Sequence, residues 1–299
     1  VTSGILLLDK PQGVTSHDVV ARARRLLGTR KVGHAGTLDP MATGLLVLGV
    51  ESSTRLLTYL VGLDKEYTAT IRLGIATDTD DAEGTTTWGS DASALTDAAI
   101  AAAVGRLTGP IEQVPSTFSA IKVDGRRAYD RARAGEDVAL AARPVTIHEF
   151  EVLATRRGGE IVDLDVRVAC SSGTYIRALA RDLGADLGVG GHLTVLRRTR
   201  VGPFAVADAV PLPDPRVEPA ATAPALLEPA DVAARLFPVV RLDASQTRDL
   251  AHGKRVEVDA PDAELAAALT PDGRLAALIE LRARRARVLL GLPTSEVVP

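Results

Sequence analysis

The twelve residues 33–44, G-H-A-G-T-L-D-P-M-A-T-G, can form neither a regular helix nor a regular strand. Three glycines, one proline and two threonines break both periodicities, and Pro40 has no backbone donor to offer a ladder. Such a sequence makes a tight loop that can hold one side chain toward a ligand. The only carboxylate in it is Asp39, set between Leu38 and Pro40. An isolated Asp-Pro is ordinarily a turn former. Here so many unusual neighbours agree that Asp39 becomes the first candidate for chemistry.

The rest of the chain alternates strands and helices around this loop. Residues 5–8 are an apolar run ended by D-K-P-Q-G, a buried strand entering a turn. Ser16 is expected to cap a helix reaching residue 27, with Val19, Val20, Ala23, Leu26 and Leu27 on one arc and Arg22, Arg24 and Arg25 on the other. A second buried strand is expected at 44–50 and a short helix at 54–61. Residues 67–73 alternate, putting Tyr67, Ala69, Ile71 and Leu73 on one face. The acidic residues 78–84 read as a loop, and Thr96 caps an alanine-rich helix to residue 107. Strands at 145–154 and 161–170, a helix at 174–187 and a strand at 193–201 follow. Six prolines between residues 211 and 229 have the composition of a linker. Beyond residue 237 four short strands are expected, near 239–242, 255–258, 275–281 and 287–290.

Composition narrows the function. The 299 residues are 46% hydrophobic and 24% charged, enough for one large domain and one small one. No apolar run has the length of a membrane span and no signal peptide is visible, so a cytoplasmic location is expected. Cys170 is the only cysteine, which excludes a disulfide within the chain and a cysteine-based zinc site. The five histidines lack ligand spacing, and there is neither a Walker-type loop nor a G-x-G-x-x-G after a strand. No metal or other cofactor is expected. The net charge of −3 has the wrong sign for a nucleic-acid binder, but local charge decides such binding. Five basic and no acidic residues lie between 22 and 31, and five basic residues against Asp124 and Asp130 between 122 and 133. Arg282, Arg284, Arg285 and Arg287 form a third cluster. The acids Asp78, Asp80, Asp81, Glu83, Asp91 and Asp97 stand apart in a stretch without Lys or Arg.

Taken in order, these segments resemble the bacterial tRNA pseudouridine synthases that modify uridine 55, the TruB family. The resemblance is carried by the loop 33–44, by G-I-L-L-L-D-K-P-Q-G-V-T-S-H-D at 4–18, and by Lys65-Glu66-Tyr67. It continues through Q-V-P-S at 113–116, S-S-G-T-Y-I-R-A-L-A-R-D-L at 171–183 and Leu196-Arg197-Arg198. It implies an α+β pseudouridine synthase fold with a mixed, mainly antiparallel central sheet over residues 1–210. An RNA-gripping insertion would occupy about 113–135. A linker and short helix would fill 211–236, and a small PUA-like β-barrel would bind RNA at 237–292. The implied activity is isomerisation of uridine 55 in the tRNA T-loop by a monomer that needs only the T-arm stem-loop. The basic insertion after Gln113 separates the chain from guide-RNA-dependent relatives, so neither a guide RNA nor an obligatory protein partner is expected.

Making pseudouridine breaks a C–N glycosidic bond, turns the freed uracil, and joins its C5 to the same ribose carbon. The reaction needs a carboxylate, a cation to keep it ionised, and an aromatic surface for the extracted base. The resemblance assigns these to Asp39, Arg177 and Tyr67. Addition to the uracil ring, attack on ribose and assistance to elimination are all open to the carboxylate. Arg177 falls in the first turn of a helix, where the macrodipole disfavours a cation and a nearby carboxylate would compensate. A forked contact to Asp39 is expected. Arg181, one turn later, reads as an exposed helix arginine. Tyr175 and Leu196 would shape the pocket, and Lys10 is placed among the binding residues as a support for the loop. The target base must be turned out of a folded RNA loop, and His34 is positioned to enter the gap. The insertion offers Phe118, Lys122, Arg126, Arg127, Tyr129 and Arg131 to phosphates and bases.

Overall fold

The computed structural model describes residues 2–116, 122–123, 126–127, 140–213 and 224–297. Its centre is a ten-stranded sheet. Strand β1 (Gly4–Lys10) pairs antiparallel with β3 (Thr43–Val50), which also carries the short β2 (Val32–His34). β3 lies parallel to the strand Gly191–Val201, and that strand is antiparallel to β4 (Lys65–Leu73). Ile161–Cys170, Arg143–Gly158 and Gly109–Gln113 complete one side by antiparallel pairing, and Val210–Pro211 adds a parallel edge to β1. The sheet is mixed and mainly antiparallel, and the chain is α+β, as expected.

The sequence patterns explain which faces are covered. β1 over residues 5–8 and β3 over residues 45–50 carry no polar side chain because both faces are buried there. Leu6, Leu8, Leu46 and Leu48 pack against the helix α1 (Ser16–Leu27), while Ile5, Leu7, Leu45 and Val47 pack against Phe204 and Val232. β4 and Ile161–Cys170 bury alternate residues under the helices Asp97–Arg106 and Ile176–Asp186. Their open face carries ion pairs such as Arg72–Asp163 at 2.8 Å.

Three local expectations change. The cap of α1 is Thr15, not Ser16. Asp18 N donates to Thr15 Oγ1 at 3.0 Å and Thr15 N to Asp18 Oδ2 at 3.1 Å, a reciprocal capping box. Ser16 is buried one residue further on and exchanges two hydrogen bonds with the Leu38 backbone, at 2.9 and 3.0 Å. The helix expected at 54–61 is a 3₁₀ stretch, Glu51–Leu56, running into one α-turn, Leu57–Val61.

The third change is in the C-terminal part, which is a five-stranded sheet with one more strand than expected. Its order is Val239–Arg241, Ala263–Leu269, Leu275–Arg282, Arg285–Gly291, Val256–Glu257. Ala263–Leu269, A-E-L-A-A-A-L, has the composition of a helix. Ala266, Ala267 and Ala268 are nevertheless fully buried in a strand with apolar clusters on both faces. Small side chains permit that close approach, and tertiary packing overrides propensity. The helix Ala244–Ala251, capped by Asp243 and Gln246, fills an interval for which the sequence suggested no element.

The expected linker is part of the core at both described ends. Leu212 is buried, Ile5 and Leu227 exchange backbone hydrogen bonds at 2.9 and 2.8 Å, and the helix Pro229–Leu236 lies between the two sheets. Val232 packs with Ile5, and Ala233 with Leu56, Ala267 and Leu278. In the insertion, Lys122–Val123 pairs with Arg126–Arg127 as a hairpin. The expectations for Phe118, Tyr129 and Arg131, and for the side chains of Lys122, Arg126 and Arg127, lie outside the described residues. Among the described residues no helix is long and apolar enough to cross a membrane.

Candidate active site

The loop 33–44 is fixed from behind by three buried side chains. Ser16 holds Leu38, as above. Arg198, 1% exposed, donates from Nε to Leu45 O at 2.7 Å, from Nη2 to Gly36 O at 3.0 Å and from Nη1 to Thr37 O at 3.4 Å. Lys10 is fully buried and donates to the carbonyls of Val14, Pro11 and Pro40 at 2.6, 3.0 and 3.3 Å. Lys10 therefore supports the loop, with its three hydrogens taken by backbone carbonyls. That burial pulls its ammonium down to about 8, against the opposing charge of Asp39. The loop ends at Gly44, with φ 101°, where an added Cβ would sit 2.7 Å from Arg198 N and inside contact distance of Arg198 O.

Asp39, thus held, meets Arg177. Arg177 is 4% exposed and its Nε lies 2.9 Å from Asp39 Oδ2. Its Nη1 donates to Thr79 O at 2.8 Å and stands 3.5 Å from Asp81 Oδ2. The guanidinium bridges two carboxylates where the sequence suggests a fork on one. Asp81 is itself buried and accepts from Thr79 Oγ1 at 2.6 Å and Glu83 N at 3.0 Å. The acidic stretch 78–84 is a loop, as expected, and it folds back onto the helix Ile176–Asp186. Arg181 shares in this: it is half-buried, 3.2 Å from Asp80 Oδ2, and donates to Val114 O at 2.7 Å. Burial raises the Asp80 carboxyl above its ordinary range even with Arg181 and Arg177 beside it. The four-residue spacing of Arg177 and Arg181, matched to a lysine- and arginine-free acidic run, was the signal available for this pairing.

A cavity of about 270 Å³ opens in front of Asp39. Asp39, Tyr67, Tyr175, Arg177 and Leu196, five of the candidates, line it together with Lys65 and Arg198. Tyr67 is 8% exposed, and burial raises its phenol above the ordinary value, so the ring is presented protonated. The Tyr175 backbone is clamped by Gln113: Tyr175 N donates to Gln113 Oε1 at 2.9 Å and Gln113 Nε2 donates back at 3.1 Å. The Arg143 guanidinium lies 5.1 Å from the Tyr175 ring centroid. His34 stands outside the cavity wall, its ring edge-on to His17 at 5.8 Å. Burial, then His17 and Arg198, lower its pKa and favour the neutral ring. Lys65, Asp81, Gln113 and Arg198 were not among the candidates, although three of them lie in or beside the quoted motifs.

Residues 24–176 match the TruB family pseudouridylate synthase N-terminal domain. The chain belongs to the TruB family. Residues 177–216 match the tRNA pseudouridylate synthase B C-terminal domain, and 237–293 the tRNA pseudouridine synthase II C-terminal domain. A TruB relative from Leifsonia xyli subsp. xyli, named tRNA pseudouridine synthase B, is 58% identical, with 99% of each chain covered. One of the same name from Arthrobacter sp. is 56% identical, with 98% of each covered. Among solved structures, a chain from an H/ACA RNP bound to a substrate RNA containing 2′-deoxyuridine is 25% identical with a TM-score of 0.71. The match covers 99% of this chain and 87% of that one. A chain from a Cbf5-Nop10-Gar1 complex is similar at 26% identity and the same TM-score. These two solved chains share the pseudouridine synthase fold of this TruB family member.

Proposed function

We propose that this TruB family enzyme isomerises uridine 55 in the T-loop of tRNA to pseudouridine, with Asp39 as the acting carboxylate. The observation that carries this reading is that Asp39 supplies the only carboxylate among the described residues lining the cavity, and that Arg177 holds it there. The curated relatives at 56–58% identity bear the name tRNA pseudouridine synthase B, which supports tRNA as the substrate.

The chemistry is balanced within one nucleotide: the bond from N1 to the ribose carbon breaks and the bond from C5 to that carbon forms. The base has to leave its stack to reach Asp39. Tyr67 and Leu196 would offer it an apolar slot, and the Tyr67 hydroxyl, kept protonated by burial, would have a proton to donate. Arg177 fixes the carboxylate so that little reorganisation remains when it acts on base or sugar. His34, neutral and outside the wall, suits the space vacated in the RNA. Lys122, Arg126 and Arg127 would supply cations to the RNA phosphates.

The C-terminal sheet is read as a PUA-like RNA-binding module. Its arginines are partly countered: Arg282 and Arg287 both pair with Glu280, at 2.8 and 2.7 Å, and Arg284 with Asp259 at 3.1 Å. Phosphates would compete with these exposed pairs, which are individually weak. The enzyme acts as a cytoplasmic monomer without guide RNA in this reading. The test is to incubate purified protein with an unmodified tRNA transcript and map pseudouridine at nucleotide resolution. One modified site at position 55 is expected. Modification elsewhere, or only after a guide RNA is added, overturns the reading.

A further inference from the structure

Lys65 opens β4 two residues before Tyr67, on the same face, and is 7% exposed at the cavity wall. Its Nζ donates to Val61 O at 2.5 Å, to Leu63 O at 2.5 Å and to Ser172 Oγ at 3.3 Å. An ammonium has three hydrogens, so none is left to offer a substrate. Ser172 Oγ also donates to Val61 O at 2.8 Å, which closes a triangle between the two side chains and one carbonyl. Among the described residues no carboxylate pairs with Lys65. Burying a cation against neutral oxygens alone costs stability, so the arrangement is a poor way to strengthen the fold.

Its value lies in what it joins. One corner is the end of the Leu57–Val61 turn, and a second is the start of the strand that carries Tyr67. The third is the turn 171–174 that leads into the helix carrying Arg177. Tyr67 and Arg177 face one cavity from these separate segments.

We propose that Lys65 is a positioning residue that, through Ser172, sets the Arg177 segment against the Tyr67 strand, an inference that rests on the function proposed above. Burial beside Arg198 pulls its ammonium down to about 8, with Cys170 and Asp64 opposing, so near neutral pH all three donors are present.

The test uses full-length Lys65→Met, Ser172→Ala and the double variant on a prefolded T-arm stem-loop. Single-turnover rate constant, reaction amplitude and RNA affinity are measured separately. Lys65→Met is expected to lower the rate constant about 100-fold, the cost of a misplacement near 1 Å. Affinity should stay within about threefold and amplitude near wild type. Partial unfolding would instead lower the amplitude and leave the rate constant of the folded fraction intact. Ser172→Ala should lose less, and the double variant should be no slower than Lys65→Met, since both break one network. A wild-type rate constant in Lys65→Met, or fully additive losses, overturns the inference. Should Lys65→Met fail to fold, an undiminished rate constant in Ser172→Ala overturns it alone. An inactive wild-type enzyme on this RNA would instead refute the proposed function.

Discussion

Arg177 Nε stands 2.9 Å from Asp39 Oδ2, while Nη1 of the same guanidinium bonds the Thr79 carbonyl and faces Asp81 at 3.5 Å. One buried arginine thus joins the loop 33–44 to the acidic loop 78–84. The orientation of Asp39 depends on a segment distant from it in sequence. Lysine keeps the charge but has no planar edge with which to meet both loops. Arg177→Lys should therefore reduce the single-turnover rate constant roughly 100-fold with RNA affinity little changed. A variant that works at the normal rate removes Arg177 from the positioning of Asp39.

Asp39→Asn should abolish pseudouridine formation and leave tRNA affinity within a few fold, because binding comes mainly from phosphate contacts. The pair of measurements separates chemistry from recognition. Turnover near the wild-type rate would exclude Asp39 as the acting group.

How much of this was legible in sequence follows from the range of the interactions involved. The alternation of residues 67–73 and the apolar runs of β1 and β3 are local signals, and they gave the sheet its strands. The loop around Asp39 was visible because glycine and proline restrict backbone shape directly. The Arg177–Asp81 and Arg181–Asp80 contacts join residues about a hundred positions apart, and the four-residue spacing of the two arginines marks a helix face without naming the carboxylates it meets. Ala263–Leu269 was missed because alanine favours a helix locally, whereas two apolar clusters decide its strand. Lys10 was expected to support the loop and Arg198 stood only inside a quoted motif, since the carbonyls that accept their hydrogens come together only in the folded loop.

Gly44 tests whether close approach, rather than φ alone, sets the loop. Gly28 and Gly44 both have positive φ, at 63° and 101°, but an added Cβ meets nothing at Gly28 and the Arg198 backbone at Gly44. Gly28→Ala should cost about 1–2 kcal/mol from the left-handed backbone. Gly44→Ala should cost at least about 3 kcal/mol, because β3 must shift from its parallel partner. Denaturant melts of the two variants decide it, and equal costs would count against the crowding argument.

Lys10 gives a pH dependence with a definite sign. Its ordinary value is 10.5 and burial lowers it to about 8 in the folded chain. Between these values the unfolded chain holds a proton that the folded chain lacks, so stability rises with pH. Methionine does not titrate. Wild type should therefore gain on Lys10→Met by up to about 1.4 kcal/mol per pH unit between pH 8 and 10.5, and keep a constant difference below 8. Urea melts from pH 7 to 10 measure this, with Cys170 and Tyr67 cancelling between the two proteins. A difference that does not change with pH would mean that the Lys10 ammonium is not desolvated.

The junction helix Pro229–Leu236 decides where the chain can be cut. All proposed catalytic residues precede residue 211, but ending there removes Leu227 from its pairing with Ile5 and Val232 from the cluster around Ile5, Leu7 and Phe204. Each such side chain contributes about 1.5–3 kcal/mol by its burial. A chain of residues 1–237 keeps both and should melt cooperatively, whereas 1–211 should melt far lower or not fold. The longer truncation exposes Leu56 and Tyr59, which the C-terminal sheet covers, so some loss of stability is expected in it too. On a T-arm stem-loop the folded 1–237 chain should still form pseudouridine. On whole tRNA it should bind more weakly, with the salt slope reduced by about one unit for each phosphate it no longer neutralises and the same uridine chosen. Equal melting of the two truncations would deny the helix its place in the core. A folded 1–237 chain with the full-length affinity and slope would show that the C-terminal sheet does not bind RNA.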